Sequence, residues 1–228
     1  MNPQQDPLAV FDLDKTITAC DTYRIFLRHI VVRRPGRWGR LPWLLWAILL
    51  FASGRRGNGW LKGQFLGHLA GGVPRSTVQR WIDATVEELV RNWLKPGALQ
   101  ELALHRDAGR RIILATASLD LYVIPLARRL GIDEVVCTRT DWTARDGVPG
   151  GEIFRGELTS PNCLGTDKWI ALDHHLGAKL ADTQAFVYSD HQADLPILSA
   201  ACHPFAVDPT STLRRIAQEK GWRIVRWG

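Results

Sequence analysis

Six short apolar runs, spaced along the chain with helical patterns between them, constrain its fold more than any other feature. They are "LAVF" (8–11), "IILA" (112–115), "EVV" (134–136), "AFVY" (185–188), "FAV" (205–207) and "RIV" (223–225). Each has strand length, and the first is apolar at every position, as a strand covered by helices on both faces must be. Among them lie "DLYVIPLARRLG", "TDKWIALDHHLG", "DLPILSAA" and "STLRRIAQEKG", most closed by a Gly where a helix C-cap is expected. This alternation predicts an open α/β fold with a parallel sheet. Residues 141–162, rich in turn formers, predict a hairpin or excursion at the sheet edge, and no role attaches to them.

Residues 21–94 interrupt the alternation and read as helical throughout. Asp21 is placed to cap a helix carrying Tyr23, Phe26, Leu27, Ile30 and Val31 along one side and ending at Pro35-Gly36. A second helix over 76–94 lines up Val78, Trp81, Ile82, Val86 and Leu89 and stops at Pro96-Gly97. Two modules are therefore expected: a core of 1–20 and 95–228, and a helical cap of 21–94. Charge divides in the same way. Residues 22–82 hold eleven Arg or Lys and no Asp or Glu, whereas the rest of the chain carries 18 basic against 23 acidic side chains. The basic module is expected to face an anionic partner.

The first apolar run ends on "DLD". Period-2 alternation lets Asp12 and Asp14 point the same way at the carboxyl end of a strand, where open α/β sheets bind ligands. Two carboxylates so close need a cation or a shared proton; solvated acids at a strand end are the ordinary alternative. Three later pieces bear on the choice. Thr116 ends the strand of "ILATAS" with a hydroxyl able to hold a phosphate oxygen. Lys168 opens a helix in "GTDKW" as a point charge suited to phosphate. In "YSDHQAD", Asp190 ends a third strand, and Asp194 follows at helical spacing. Singly, each could be a cap or a solvated side chain. All four at the edges of one α/β core point to a catalytic centre. His191 reads as a loop residue, and His174 and His175 have no partners at metal-ligand spacing.

These pieces, in this order from residue 8 to about 208, resemble the four motifs of haloacid-dehalogenase-type phosphatases. The helical insertion after the first motif resembles the C1 cap of the phosphoserine-phosphatase-like group, subfamily IB. The resemblance implies a Rossmann-like parallel-sheet core and Mg²⁺-dependent hydrolysis of a phosphomonoester. Asp12 would be the nucleophile that forms an aspartyl-phosphate, and Asp14 would carry protons. Mg²⁺ would be held by Asp12, the backbone carbonyl of Asp14 and Asp190, with Asp194 direct or through water. Thr116 and Lys168 would hold the phosphoryl oxygens.

The cap has to name the substrate. "LPWLLWAILLFAS" (41–53) is apolar all round, with Arg37 and Arg40 before it and Arg55 and Arg56 after it. As a helix it would reach about 20 Å, short of a roughly 30 Å hydrocarbon core. With Trp38, Trp43, Trp46 and Trp60 around it, the stretch predicts peripheral contact of residues 37–60 with an anionic membrane; a buried central helix of the cap is the other reading. "NCLGTDK" (162–168) resembles lipid phosphatases of the phosphatidylglycerophosphatase C type, so an anionic lipid phosphate is the expected substrate. The alternative is a soluble phosphatase of phosphoserine type. Such enzymes carry an acid nine residues after the nucleophile to engage the substrate ammonium, which would make Asp21 a recognition residue rather than only a cap. A non-catalytic basic module binding nucleic acid or acidic lipid is a remote third reading, and a nucleic-acid partner is not expected. Four dispersed cysteines, no Cys-x-x-Cys pair and no secretory signal predict a cytoplasmic protein, peripheral on the inner face of the cytoplasmic membrane.

Overall fold

Strand β1 (Leu8–Phe11) is buried at every position, and its side chains divide between two cores. Ala9 and Phe11 join one cluster, and Leu8 and Val10 join the other. A strand that must supply apolar groups to both faces cannot alternate with polar ones, which is why the run reads as continuous. The computed structural model describes residues 7–144 and 151–228, apart from the side chains of Trp38, Arg40 and Leu41.

β1 is followed by α1 (Thr22–Arg33), α2 (Leu41–Ala52), α3 (Asn58–Ala70), β2 (Val73–Pro74), α4 (Arg75–Asn92) and α5 (Pro96–Asp107). Then come β3 (Arg111–Leu119), α6 (Asp120–Arg129), β4 (Glu134–Thr138), β5 (Thr140–Ala144), β6 (Glu152–Leu158) and α7 (Thr166–Leu176). The chain closes with β7 (Ala185–Ser189), α8 (Leu195–Ala200), β8 (His203–Val207), α9 (Ser211–Lys220) and β9 (Arg223–Val225). The main sheet has the order β4-β3-β1-β7-β8-β9, and every pair in it is parallel. All six expected strands are present, in the expected Rossmann-like α/β arrangement.

Two local expectations need correction. Residues 21–94 are not helical throughout: after Gly71 and Gly72, the latter at φ +75°, Val73–Pro74 forms β2 and pairs antiparallel with β6. Pro96-Gly97 is not the stop of the preceding helix. α4 ends at Asn92, and Pro96 opens α5 from its first turn, where a missing N–H costs nothing. The apolar side expected of α4 is buried as read: Val78, Trp81, Ile82, Val86 and Leu89.

The excursion forms a hairpin of β5 and β6, although its turn, residues 145–150, lies outside the described residues. β6 crosses α3 where Gly156, at φ +78°, meets Gly67. A Cβ on Gly156 would lie 2.6 Å from the Gly67 Cα, so only glycine permits this approach. The hairpin therefore buttresses α3.

α2 is exposed rather than central. Leu44 and Ala47 are buried, but Trp43, Leu45, Trp46, Ile48, Leu49 and Phe51 stand 40–67% exposed. Among the described residues no helix is long and apolar enough to cross a membrane.

Candidate active site

Asp12 directly follows β1, and its N–H donates to the Tyr188 carbonyl at 3.0 Å, carrying the β1–β7 ladder one residue past the strand. The chain then folds tightly over Leu13–Ile17, with Lys15 at φ +61° and the Thr18 N–H reaching back to the Leu13 carbonyl at 3.0 Å. That reversal holds Asp14 near the first turn of α1. One Asp14 oxygen accepts the Thr22 N–H at 2.6 Å, and the other accepts the Ser118 hydroxyl at 2.6 Å.

Lys168, in the first turn of α7 and only 1% exposed, bridges two elements. Its Nζ donates to Asp12 Oδ1 and to Asp194 Oδ2, each at 2.8 Å. The Thr16 hydroxyl donates to Asp12 Oδ2 at 3.1 Å, and the Ser189 hydroxyl donates to Asp194 Oδ2 at 2.7 Å. Asp194 Oδ1 is buried and has no hydrogen-bond partner among the described residues. Asp12, Asp14, Lys168, Asp190 and Asp194 thus surround one cavity of about 230 Å³. It sits at the carboxyl edge of the sheet, between β3 on one side of β1 and β7 on the other, where the strand order reverses direction.

The charges do not balance. Burial pushes the Asp12 carboxyl up to about 7; Lys168 opposes this, and Asp194, Asp190 and Asp14 reinforce it. Burial works against the Lys168 ammonium too, but Asp12 and Asp194 outweigh it and hold its pKa raised. Burial and then Asp194 push Asp190 up to about 6. Five carboxylates on the wall, Asp12, Asp14, Asp21, Asp190 and Asp194, against three ammonium groups, Lys15, Lys62 and Lys168, with one carboxylate oxygen unpartnered among the described residues, suit a hard cation with oxygen ligands. Among the described residues, no three His, Cys, Asp or Glu side chains are placed so that they could hold a metal ion between them.

Other expected residues fall as follows. Thr116 is fully buried and is not on the cavity wall; its hydroxyl accepts the Ser118 N–H at 3.1 Å. Asp21 is on the wall and also caps α1, accepting the Arg24 N–H at 3.3 Å, so the two readings of that residue are compatible. Burial, and then Asp14, raise its pKa. His191 is on the wall, where its Nδ1 accepts the Ala193 N–H at 3.1 Å.

Sequence reasoning missed Ser118 and Lys62. Ser118 is two residues beyond Thr116, and the period of a strand was a signal for it. Lys62 arrives from α3, far away in sequence. It is 7% exposed, and its Nζ donates to the Ala117 carbonyl at 2.6 Å and to Asn162 Oδ1 at 2.9 Å.

A parallel α/β sheet with paired acids just past its central strand and a buried lysine bridging to a third acid defines a hydrolase of Rossmann-like architecture. Residues 9–199 match the sequence family described as haloacid dehalogenase-like hydrolase, and the chain belongs to that family. It is 29% identical to protein CicA of Caulobacter vibrioides, over 97% of this chain and 88% of that one. It is 26% identical to a probable phosphatase of Mycobacterium tuberculosis, over 98% of this chain and 76% of the other. The crystal structure of a protein of unknown function from Bordetella pertussis superposes with a TM-score of 0.78 at 25% identity, covering 97% of this chain and 98% of that one. A phosphoserine phosphatase captured as a phospho-aspartyl intermediate analogue shares the fold, with a TM-score of 0.60 at 16% identity over 99% and 94% of the two chains. Family and fold together make the chain a haloacid dehalogenase-like hydrolase, and phosphatases are among its relatives.

Proposed function

We propose that the chain hydrolyses phosphomonoesters through an aspartyl-phosphate on Asp12, with Mg²⁺ as cofactor and residues 21–94 as a cap over the core. The observation that carries this reading is the joint placement of Asp12 and Asp14. One is buried and held by Lys168 at 2.8 Å; the other is fixed two residues on by two hydrogen bonds of 2.6 Å. An Asp12 oxygen attacks phosphorus and the ester P–O bond breaks. The leaving alkoxide takes a proton from Asp14. Water then attacks the phosphoryl group, Asp14 accepts its proton, and the bond between phosphorus and Asp12 breaks to release phosphate. Lys168 offsets charge on the phosphoryl oxygens; Ser118 reaches the cavity wall from β3, and Thr116 lies behind the wall, its hydroxyl accepting the Ser118 N–H. Asp12, Asp190, the Asp14 carbonyl and Asp194 would hold Mg²⁺, which supplies the charge that lets a carboxylate approach a phosphate dianion.

The finer reading is that the ester is an anionic lipid phosphate, of the phosphatidylglycerophosphate kind, met at the cytoplasmic face of a membrane. The exposed apolar side of α2 and the basic surplus of residues 22–82 support it. The phosphoserine-type reading is favoured by Asp21 and Lys62 on the cavity wall, a carboxylate and an ammonium suited to a zwitterion. Phosphate release with Mg²⁺ tests both levels. Asp12→Asn is expected to lower turnover by at least a thousandfold while the protein still folds; near-wild-type activity would remove Asp12 as nucleophile. A higher kcat/KM for phosphatidylglycerophosphate in mixed micelles than for phosphoserine supports the lipid reading, and the reverse order supports the soluble one.

A further inference from the structure

A second concavity adjoins the catalytic cavity. It is a groove of about 520 Å³ between α1, α2 and α3, and it shares Tyr23, Asn58 and Lys62 with the cavity at Asp12. Its other walls are apolar for the most part: Leu27 and Val31 from α1, Ile48 from α2, Leu61 and Phe65 from α3. Arg24 and Arg28 complete it, both exposed, the latter paired with Glu88. Ile48 belongs to the exposed apolar side of α2 and also lines the groove, so the two surfaces adjoin there.

The three shared residues change character along the path. Lys62, buried and bonded to the Ala117 carbonyl and Asn162, belongs to the charged end; its stem and the Tyr23 ring, with Nζ 5.7 Å from the ring centroid, begin the apolar end. A leaving group departing from phosphorus therefore meets polar atoms first and hydrocarbon after them. An enzyme for a small zwitterion has no use for an apolar extension of that size, which is in the range of pockets that enclose whole small molecules.

We infer that this groove holds the hydrocarbon chain of an amphiphilic phosphomonoester whose phosphate lies at Asp12. The inference rests on the phosphatase reading above and deepens it by assigning the leaving group's tail to α1, α2 and α3. The occupant is fixed by continuity: one end opens to a phosphate site and the other to an exposed apolar helix. Arg24 offers positive charge beside it for an anionic headgroup, whereas the charge of Arg28 is already met by Glu88.

The test uses the full chain with Mg²⁺ and n-alkyl phosphates from ethyl to decyl, kept below their micellar concentrations. kcat/KM is expected to rise with chain length, by up to about fourfold for each methylene fully buried, and to level off when the groove is filled. Leu61→Trp narrows the groove and is expected to lower the decyl-to-ethyl ratio at least tenfold. That ratio does not depend on how much of the variant is folded. Binding of ethyl- and decylphosphonate, measured by calorimetry, provides an arm that needs no turnover. Equal kcat/KM and equal binding across the series would overturn the groove assignment while the phosphatase reading stands. Tighter binding of the long phosphonate, weakened by Leu61→Trp, with no release of phosphate from any ester, would sink the phosphatase reading and leave the chain site in place.

Discussion

Asp14 holds two hydrogen bonds, and one of them comes from a residue that its own motif does not contain. Ser118 donates to Asp14 Oδ2, contacts the Thr22 hydroxyl at 2.9 Å, and gives its N–H to Thr116. When Asp14 is protonated, the same hydroxyl can turn and accept, so Ser118 is placed to steady the carboxyl in both of its states. It acts as a positioning residue. Ser118→Ala is expected to lower kcat roughly ten- to a hundredfold, with little change in KM, to shift the pH–rate profile, and to be partly rescued by Ser118→Thr. Thr116→Val removes the acceptor for the Ser118 N–H; if Thr116 instead binds phosphate directly, its loss raises KM. Steady-state kinetics of the three variants separates these roles. An unchanged kcat in Ser118→Ala would dismiss the hydroxyl as a steering group for Asp14.

At the scale of elements, α2 is the departure from ordinary folding economy. Among its described side chains only Leu44 and Ala47 are buried, and six large apolar ones stand 40–67% exposed. An apolar face of that kind on an otherwise charged protein marks an interaction surface. Aromatic residues in it suit the headgroup boundary of a bilayer, and each nearby Arg contributes on the order of 1 kcal/mol at an anionic surface. The wild-type chain is expected to float with phosphatidylglycerol-containing vesicles, less so in high salt. Leu45→Ser, Trp46→Ser and Leu49→Ser together should remove that binding without lowering the melting temperature. Flotation that survives the triple change, or that never occurs, would assign the face to another partner. This element also marks where reading a sequence stops. An apolar stretch that is not amphipathic is the same whether it is sheathed by helices or bare, because burial depends on neighbours that composition does not name. β2 was illegible for a like reason: Val73–Pro74 is too short to alternate, and its partner is β6, eighty residues away. The inner strands of the main sheet were legible because burial on both faces leaves an uninterrupted apolar run, and Asp12 and Asp190 stood out because each directly follows such a strand.

The whole molecule sets two unlike environments against each other. The sheet edge gathers surplus negative charge around Lys168, and the helices between β1 and α5 carry the basic surplus. They meet at the cavity wall, where Lys62 from α3 reaches the carboxyl end of β3 through the Ala117 carbonyl and reaches Asn162 before α7. Asp12, Asp14, Asp190, Asp194 and Lys168 could be found from sequence because strand ends converge by topology. Lys62 could not, since only the packing of α3 against the hairpin brings it there. The most direct measurement of the central claim is to capture the covalent intermediate. The protein, turning over with Mg²⁺ and a phosphomonoester, is quenched in acid, reduced with borohydride, and its peptides are sequenced by mass spectrometry. Borohydride converts an aspartyl-phosphate to homoserine, so position 12 should read as homoserine in a turnover-dependent way. Position 12 unchanged while phosphate is being released, or the modification found at another residue, would contradict nucleophilic catalysis by Asp12.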